Sequence, residues 1–298
     1  MLKTVLGVLI KFVAWLPLPV VHGLGRFIGF LFGRVARHHR VEAFAQLERS
    51  MPELSPSEVK RIINTMYRYQ GVNGVEMIWY STRGLETVDA AVEVEGMEHF
   101  EAARERGKGV LALTGHVGNY ELMPMATATK GYKISAVVKR IKNEAVNEVV
   151  EALRSHDGLT FLSTKNVYKD CLKALRRNEI VGMIIDQNMT REEGVFVDFF
   201  GEPACTTPGL AYMSAQSRAP VVPAFIYRKP GGGFVLRIHP LMEPPADRSP
   251  SATHEATQRY TQAVEDAVRA APEQWIWMHR RWKTRPTEGA EGVERFKS

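Results

Sequence analysis

From Val92 onward the chain alternates short apolar runs with longer segments of helical spacing. VEVEG, GVLALTGH, KISAVVK, LTFLS and EIVGMIIDQ read as strands. MEHFEAARERGK, NYELMPMATATK, NEAVNEVVEALRSHDG and NVYKDCLKALRRN read as the helices between them. EIVGMIIDQ is almost wholly apolar, as expected of a strand buried on both faces. GVFVDFFG follows, then a helix at TPGLAYMSAQSR, strands at APVVPAFIYR and GFVLRIHP, and a long helix over roughly 253–271. The GGG at 231–233 joins two strands and reads as a turn. Upstream, PELSPSEVKRIINTMYRYQG has a proline-led start and apolar residues at Val59, Ile62, Ile63 and Met66, so residues 42–84 read as helical. The pattern predicts an α/β fold, with a central mostly parallel or mixed sheet flanked by helices. We divide it into N-terminal helices at 1–40, a main domain at 41–285 (helical lead-in 41–90, α/β core 91–285) and a loose polar tail at 286–298.

The first forty residues differ from the rest. They carry no Asp or Glu, while Lys3, Lys11, Arg26, Arg34, Arg37 and Arg40 punctuate apolar runs at 5–10, 12–16 and 27–32. A spanning helix wants about 20 uncharged apolar residues. Lys11 and Arg26 interrupt that length, and Pro17 and Pro19 break it. No small-residue cleavage site closes the apolar run, so a signal peptide is a poor match. Two short helices joined at WLPLP are expected, lying in or dipping into a bilayer, with RVARHHR facing anionic headgroups. Positive charge of this kind stays on the cytoplasmic side. The alternative is an amphipathic pair packed on the protein itself, which Gly23, Gly25, Gly29 and Gly33 would also suit.

Composition changes this picture little. With 298 residues, 45% hydrophobic and 24% charged, the chain is ordinary globular material. Its net charge of +6 suits an anionic membrane surface, nucleic acid or a phosphorylated substrate. Cys171 and Cys205 form no metal-ligand spacing and read as reduced thiols. There is no Cys/His cluster and no HExxH, so neither metal nor cofactor is expected.

Two strand ends carry candidate chemistry, because ligands of open α/β sheets sit beyond the carboxyl ends of strands. GVLALTGH ends at His116, and EIVGMIIDQ ends at Asp186 and Gln187. Glu121 falls about one turn into the next helix, where it is expected to reach back to the imidazole Nδ1 and leave Nε2 free to take a proton from a hydroxyl. No GxSxG is present, so the activated hydroxyl belongs to a substrate. The bland reading of the pair is a structural strand-end histidine. For WIWMHRRWK, a nucleic-acid stacking surface, a membrane-interface collar and a buried C-terminal element compete. We take the last for Trp275 and Trp277 and expect no nucleic-acid partner.

GHVGNYE at 115–121 resembles the H-x4-D/E motif of glycerolipid acyltransferases, and more closely the GHxGNxE form of the bacterial lipid A biosynthesis (late lauroyl/myristoyl) acyltransferases. MIIDQN at 183–188, GVFVDFFGEPACTTPGLAYMSAQSRAPVVPAF at 194–225 and PEQWIWMHRRWKTRP at 272–286 resemble further blocks of that family, in order. AFAQLERSMPELS at 43–55 resembles its helical segment, with Gln46 where the family usually has Asn, a departure expected to concern packing. The resemblance implies a glycerolipid-acyltransferase-like fold. It also implies transfer of a fatty acyl chain from acyl carrier protein to a hydroxyl of a lipid A precursor, on the cytoplasmic face of the inner membrane. His116 is then the base and Glu121 its orienter. Arg154 matches a family arginine and is expected to bind a phosphate or the oxyanion, although by itself it reads as a helix-surface residue. Asp186 and Gln187 position the acceptor, or else cap the strand end. The rival readings are another lipid acceptor, such as a lysophospholipid or glycolipid, and a non-enzymatic basic membrane-surface protein.

Overall fold

The computed structural model of the chain describes residues 2–162 and 166–287. Helices α1 (Leu2–Trp15) and α2 (Leu18–Val35) part at WLPLP, where Pro17 takes an extended conformation and caps the second helix. Two helices follow, α3 (Arg37–Ser50) and the long α4 (Pro56–Arg83). A capping box starts α4: Glu58 N–H donates to Ser55 Oγ at 3.3 Å, and Ser55 N–H donates to Glu58 Oε2 at 2.8 Å.

Along α2, Gly25, Gly29 and Gly33 lie directly on α4, against Val72, Gly71 and Tyr67. A Cβ on Gly29 or Gly71 would run into the facing backbone. The N-terminal pair therefore packs on the protein through its small residues and turns its apolar remainder outward. Trp15 is 80% exposed, Phe27 58% and Leu31 44%. No described helix is long and apolar enough to cross a membrane.

The remaining elements are α5 (Leu85–Ala91), β1 (Val92–Glu95), α6 (Met97–Glu105), β2 (Val110–Thr114), a 3-10 turn at Tyr120–Leu122, α7 (Met123–Ala128), β3 (Ile134–Val137), α8 (Glu144–Arg154), β4 (Leu159–Leu162), α9 (Val167–Arg176), β5 (Ile180–Ile184), β6 (Val195–Phe199), β7 (Glu202–Thr206), α10 (Gly209–Ser217), β8 (Val221–Arg228), β9 (Phe234–Ile238) and α11 (Pro250–Ala270). Seven strands form one sheet in the order β1-β9-β8-β2-β5-β3-β4, and β6 and β7 form a separate hairpin. Every neighbour in the large sheet is parallel except β8 with β9. The expected mostly parallel or mixed sheet is therefore present. Its faces carry two hydrophobic clusters, and strand alternation divides β2 between them: Leu111 and Leu113 go to one, Val110 and Ala112 to the other.

The C-terminal segment closes one face. Trp275, Trp277 and Trp282 are all buried, as a buried element requires and a nucleic-acid surface does not. Arg281 is fully buried too. It donates to Cys205 O at 2.8 Å and to Thr206 Oγ1, so it serves the fold. Gln46 is buried beside it, donating to Trp277 O at 2.6 Å and His279 O at 2.8 Å and accepting from Arg281 N–H at 2.9 Å. The Gln46 departure thus concerns hydrogen bonds that fasten α3 to the C-terminal segment as well as packing. The loose-tail expectation falls largely on residues 288–298, which lie outside the described residues.

Candidate active site

Sheet order brings the two marked strand ends together. β2 and β5 are parallel neighbours with Thr114 opposite Ile184, so His116 and Asp186 leave the sheet side by side. Asp186 is 2% exposed. It accepts three hydrogen bonds at 2.7 Å each: from the His116 backbone N–H, from His116 Nδ1 and from Trp275 Nε1. A carboxylate only accepts, so Nδ1 carries the proton and Nε2 is left as the basic nitrogen. Gly115 makes this approach possible, since a Cβ there would crowd the Asp186 carboxylate. Gln187 Nε2 lies 3.3 Å from His116 Nε2, and the Tyr120 ring stands edge-on to the imidazole at 4.7 Å.

This corrects the expected pairing. Glu121 does not hold Nδ1, because that position is filled by Asp186. Glu121 instead lies in the 3-10 turn and takes Arg154 in a bidentate pair, with Nη2 to Oε1 at 2.6 Å and Nε to Oε2 at 3.0 Å. Arg154 is therefore no free surface residue of α8: its side chain is 17% exposed, and its guanidinium also stands over Phe161. Nε and Nη2 are spent on Glu121, and Nη1 has no hydrogen-bond partner among the described residues. A groove lined by Lys139, Asn147, Arg154 and Phe161 opens beside it.

The electrostatics follow from burial and charge. Burial lowers the His116 pKa, but the Asp186 charge and hydrogen bond, with Glu121 behind them, outweigh it and raise it overall. Burial opposes ionisation of Asp186, yet the His116 charge and the hydrogen bonds to His116 and Trp275 hold it below the usual carboxylate range. His279, whose Nε2 accepts from Asn188 N–H at 3.1 Å, has its pKa lowered mainly by burial. Among the described residues, no group of three or more His, Cys, Asp or Glu could hold a metal ion.

The loop carrying His116 is fixed from behind by residues that have no legible mark in the sequence. Gly118 adopts φ +61°, and a Cβ there would strike the Ile226 carbonyl. Its N–H donates to Gln274 O at 2.9 Å, and its carbonyl accepts from Asn73 at 2.7 Å. Asn119 donates to Glu76 Oε2 at 2.9 Å. Glu76 is fully buried in α4, where Arg228 of β8 grips both its oxygens and His22 of α2 lies 2.8 Å from Oε1. Burial works against ionisation of Glu76, but the Arg228 and His22 hydrogen bonds and charges keep its pKa lowered. Identifying the members of this network needs the fold.

The family model for bacterial lipid A biosynthesis acyltransferase matches residues 2–284. The chain is 30% identical over 288 residues to the lipid A biosynthesis lauroyltransferase of Escherichia coli, covering 94% of this chain and 90% of that one. It is 27% identical over 268 residues to the lipid A biosynthesis myristoyltransferase of the same organism, covering 90% and 81%. A lipid A biosynthesis acyltransferase of Haemophilus influenzae is 26% identical over 275 residues, covering 91% and 84%. The crystal structure of a 1-acyl-sn-glycerophosphate acyltransferase from Thermotoga maritima overlays 87% of this chain and 99% of that one, at 14% identity and a TM-score of 0.38. With one family model running through nearly every described element and through the His116 loop, the chain belongs to the bacterial lipid A biosynthesis acyltransferase family.

Proposed function

We propose that this acyltransferase moves a fatty acyl chain from acyl carrier protein to a hydroxyl of a lipid A precursor, with His116 as general base held by Asp186. The observation that carries the reading is the His116–Asp186 pair. Asp186 occupies Nδ1 at 2.7 Å, so the available lone pair is on Nε2, beside the Gln187 amide. The acceptor hydroxyl takes the place of the Gln187 amide at Nε2. As its oxygen bonds to the thioester carbonyl carbon, its proton passes to Nε2. Collapse of the tetrahedral intermediate breaks the C–S bond, and the imidazolium returns the proton to the departing thiolate. The products are an ester and a free thiol. Asp186 stabilises the transient imidazolium without itself being protonated.

Glu121 and Arg154 serve together in this reading. Glu121 holds the arginine, and Nη1 of Arg154 meets an anionic oxygen of the substrate or the developing oxyanion. Gln187 orients the acceptor. Acyl carrier protein as donor rests on the family resemblance. The outward apolar faces of α1 and α2, with their unbroken basic flank, support docking on the cytoplasmic face of the inner membrane, in reach of a lipid acceptor.

The test is transfer of labelled acyl chain from acyl carrier protein to purified lipid A precursor, read by mass spectrometry. The wild-type chain is expected to form the acylated lipid, and a folded His116→Ala to lose about 10²–10⁴-fold. A folded His116→Ala that keeps most of its activity overturns the base assignment.

A further inference from the structure

We infer that the open groove between the end of α2 and the first half of α4 is a second lipid site, which takes the phosphomonoester headgroup of an anionic membrane lipid. Arg34, Arg40, Lys60, Asn64, Tyr67 and Arg68 line it, with a volume of about 470 Å³. Among the described residues, no carboxylate lines it. Arg34, Lys60 and Arg68 are exposed and make no ion pair among the described residues, and Arg40 spends one hydrogen bond on Asn64 Oδ1 at 2.6 Å. Other surface cations do have a carboxylate partner, among them Lys3, Arg106, Lys130, Arg177, Lys229, Arg237 and Arg285. The pair Lys108 and Arg176, which lines another groove without an ion pair among the described residues, brings two cations together where this groove brings four. Four cations sharing a concavity without a counter-ion repel one another, and an entering dianion removes that cost.

Two further observations point to a ligand. The guanidinium of Arg34 stands over the Phe30 ring at 4.5 Å, and that of Arg40 over Phe44 at 5.2 Å. These contacts hold the two planes in place without consuming N–H donors. Tyr67, which is 1% exposed, carries a hydroxyl with no hydrogen-bond partner among the described residues. A membrane lipid suits the site better than an acidic protein surface because the α2 wall is apolar as well as basic: the exposed Phe30 lines the groove, and Phe27, Leu31 and Val35 are exposed on the same helix within about a turn of Phe30 or Arg34. The groove shares none of its lining residues with the contacts of His116. Arg68 precedes Asn73, which holds Gly118, by about a turn and a half of α4.

The test uses the full chain and phosphatidylcholine vesicles containing either phosphatidic acid, a phosphomonoester, or phosphatidylglycerol, a phosphodiester, adjusted to equal surface charge. Co-sedimentation of the wild type is expected to favour phosphatidic acid. Each cation lost at the surface is worth about a factor of five, so Lys60→Gln/Arg68→Gln is expected to bind phosphatidic acid vesicles about 30-fold more weakly and to lose the preference. Arg34→Gln, on the other wall, is expected to lose the preference as well. Lys108→Gln/Arg176→Gln, with the same change in charge, should keep it, and every variant should melt like the wild type and acylate a detergent-dispersed acceptor at the wild-type rate. Equal loss in the Lys108/Arg176 control, or no headgroup preference in the wild type, reduces the site to general charge attraction and overturns the inference. Inorganic phosphate binding as tightly as vesicles makes the ligand soluble phosphate, and loss of acyl carrier protein binding with vesicle binding intact makes the groove a protein dock. Either result also overturns it. Because the readout is binding, failure here leaves the catalytic reading standing.

Discussion

Asp186→Asn separates the two candidate partners of His116. The carboxylate accepts from His116 N–H, His116 Nδ1–H and Trp275 Nε1–H, each at 2.7 Å, in a site where Asp186 is 2% exposed. An asparagine offers one oxygen and one NH2. If its oxygen replaces Oδ2, two of the three donors stay satisfied, and the NH2 faces Nδ1. The imidazole must then carry its proton on Nε2, where the base is needed. Turning the amide over strands two buried donors, each costing about 1–3 kcal/mol, so the wrong tautomer is favoured. A loss of about 10³–10⁴-fold in turnover is expected, or roughly 4–5.5 kcal/mol. The pH profile adds a signature that a mere packing defect would not. In the wild type, activity should fall as pH drops through a value above 6.5, because His116 is raised and must be neutral to act. In Asp186→Asn that limb should move to lower pH, since burial, the largest influence, then acts against a weaker opposing charge. Stability carries the same signs. The depressed Asp186 contributes above 3.8 and is lost as pH falls; the raised His116 contributes below 6.5 and is lost as pH rises. Between about 3.8 and 6.5 the pair is fully stabilising, and thermal melts of the variant should lack that extra stability. A folded Asp186→Asn with more than a tenth of wild-type turnover and an unmoved acid limb would refute this reasoning.

Glu121→Gln and Arg154→Met should each lower kcat/KM, and the double variant should be little worse than the more damaged single, with a coupling of about 1–3 kcal/mol; additive losses would show that the two side chains act separately. Gly71→Ala should destabilise by about 3 kcal/mol in denaturant melts, because its Cβ meets the α2 backbone. Gly74→Ala, with nothing within 4 Å, should be neutral or slightly stabilising, and similar midpoints for the two would contradict the α2–α4 packing. Phe27→Gln/Leu31→Gln should leave thermal melting unchanged and reduce sedimentation with membranes, whereas undiminished sedimentation in high salt would place the membrane contact elsewhere.

Local chemistry determined much of this protein from sequence alone. Prolines at 17 and 19 dictate where α1 ends, because a ring that fixes φ and lacks an N–H acts within its own turn. The proline-led PELSPSEV likewise announces the start of α4, and the almost wholly apolar EIVGMIIDQ marks a strand inside the sheet. The α/β alternation and the His116 strand end were legible for the same reason: each depends on neighbours along the chain. The partner of His116 was not. Glu121 is five residues away in sequence, but the 3-10 turn carries it toward Arg154. Asp186 is seventy residues away and adjacent in space, because β5 inserts next to β2 while β3 and β4 are placed outside it. Sequence order does not reveal that crossover. The same holds for Glu76, whose partners His22, Asn119 and Arg228 come from α2, the His116 loop and β8. A buried charge must be paired, and which residue pairs it is decided by the packing of elements distant in sequence.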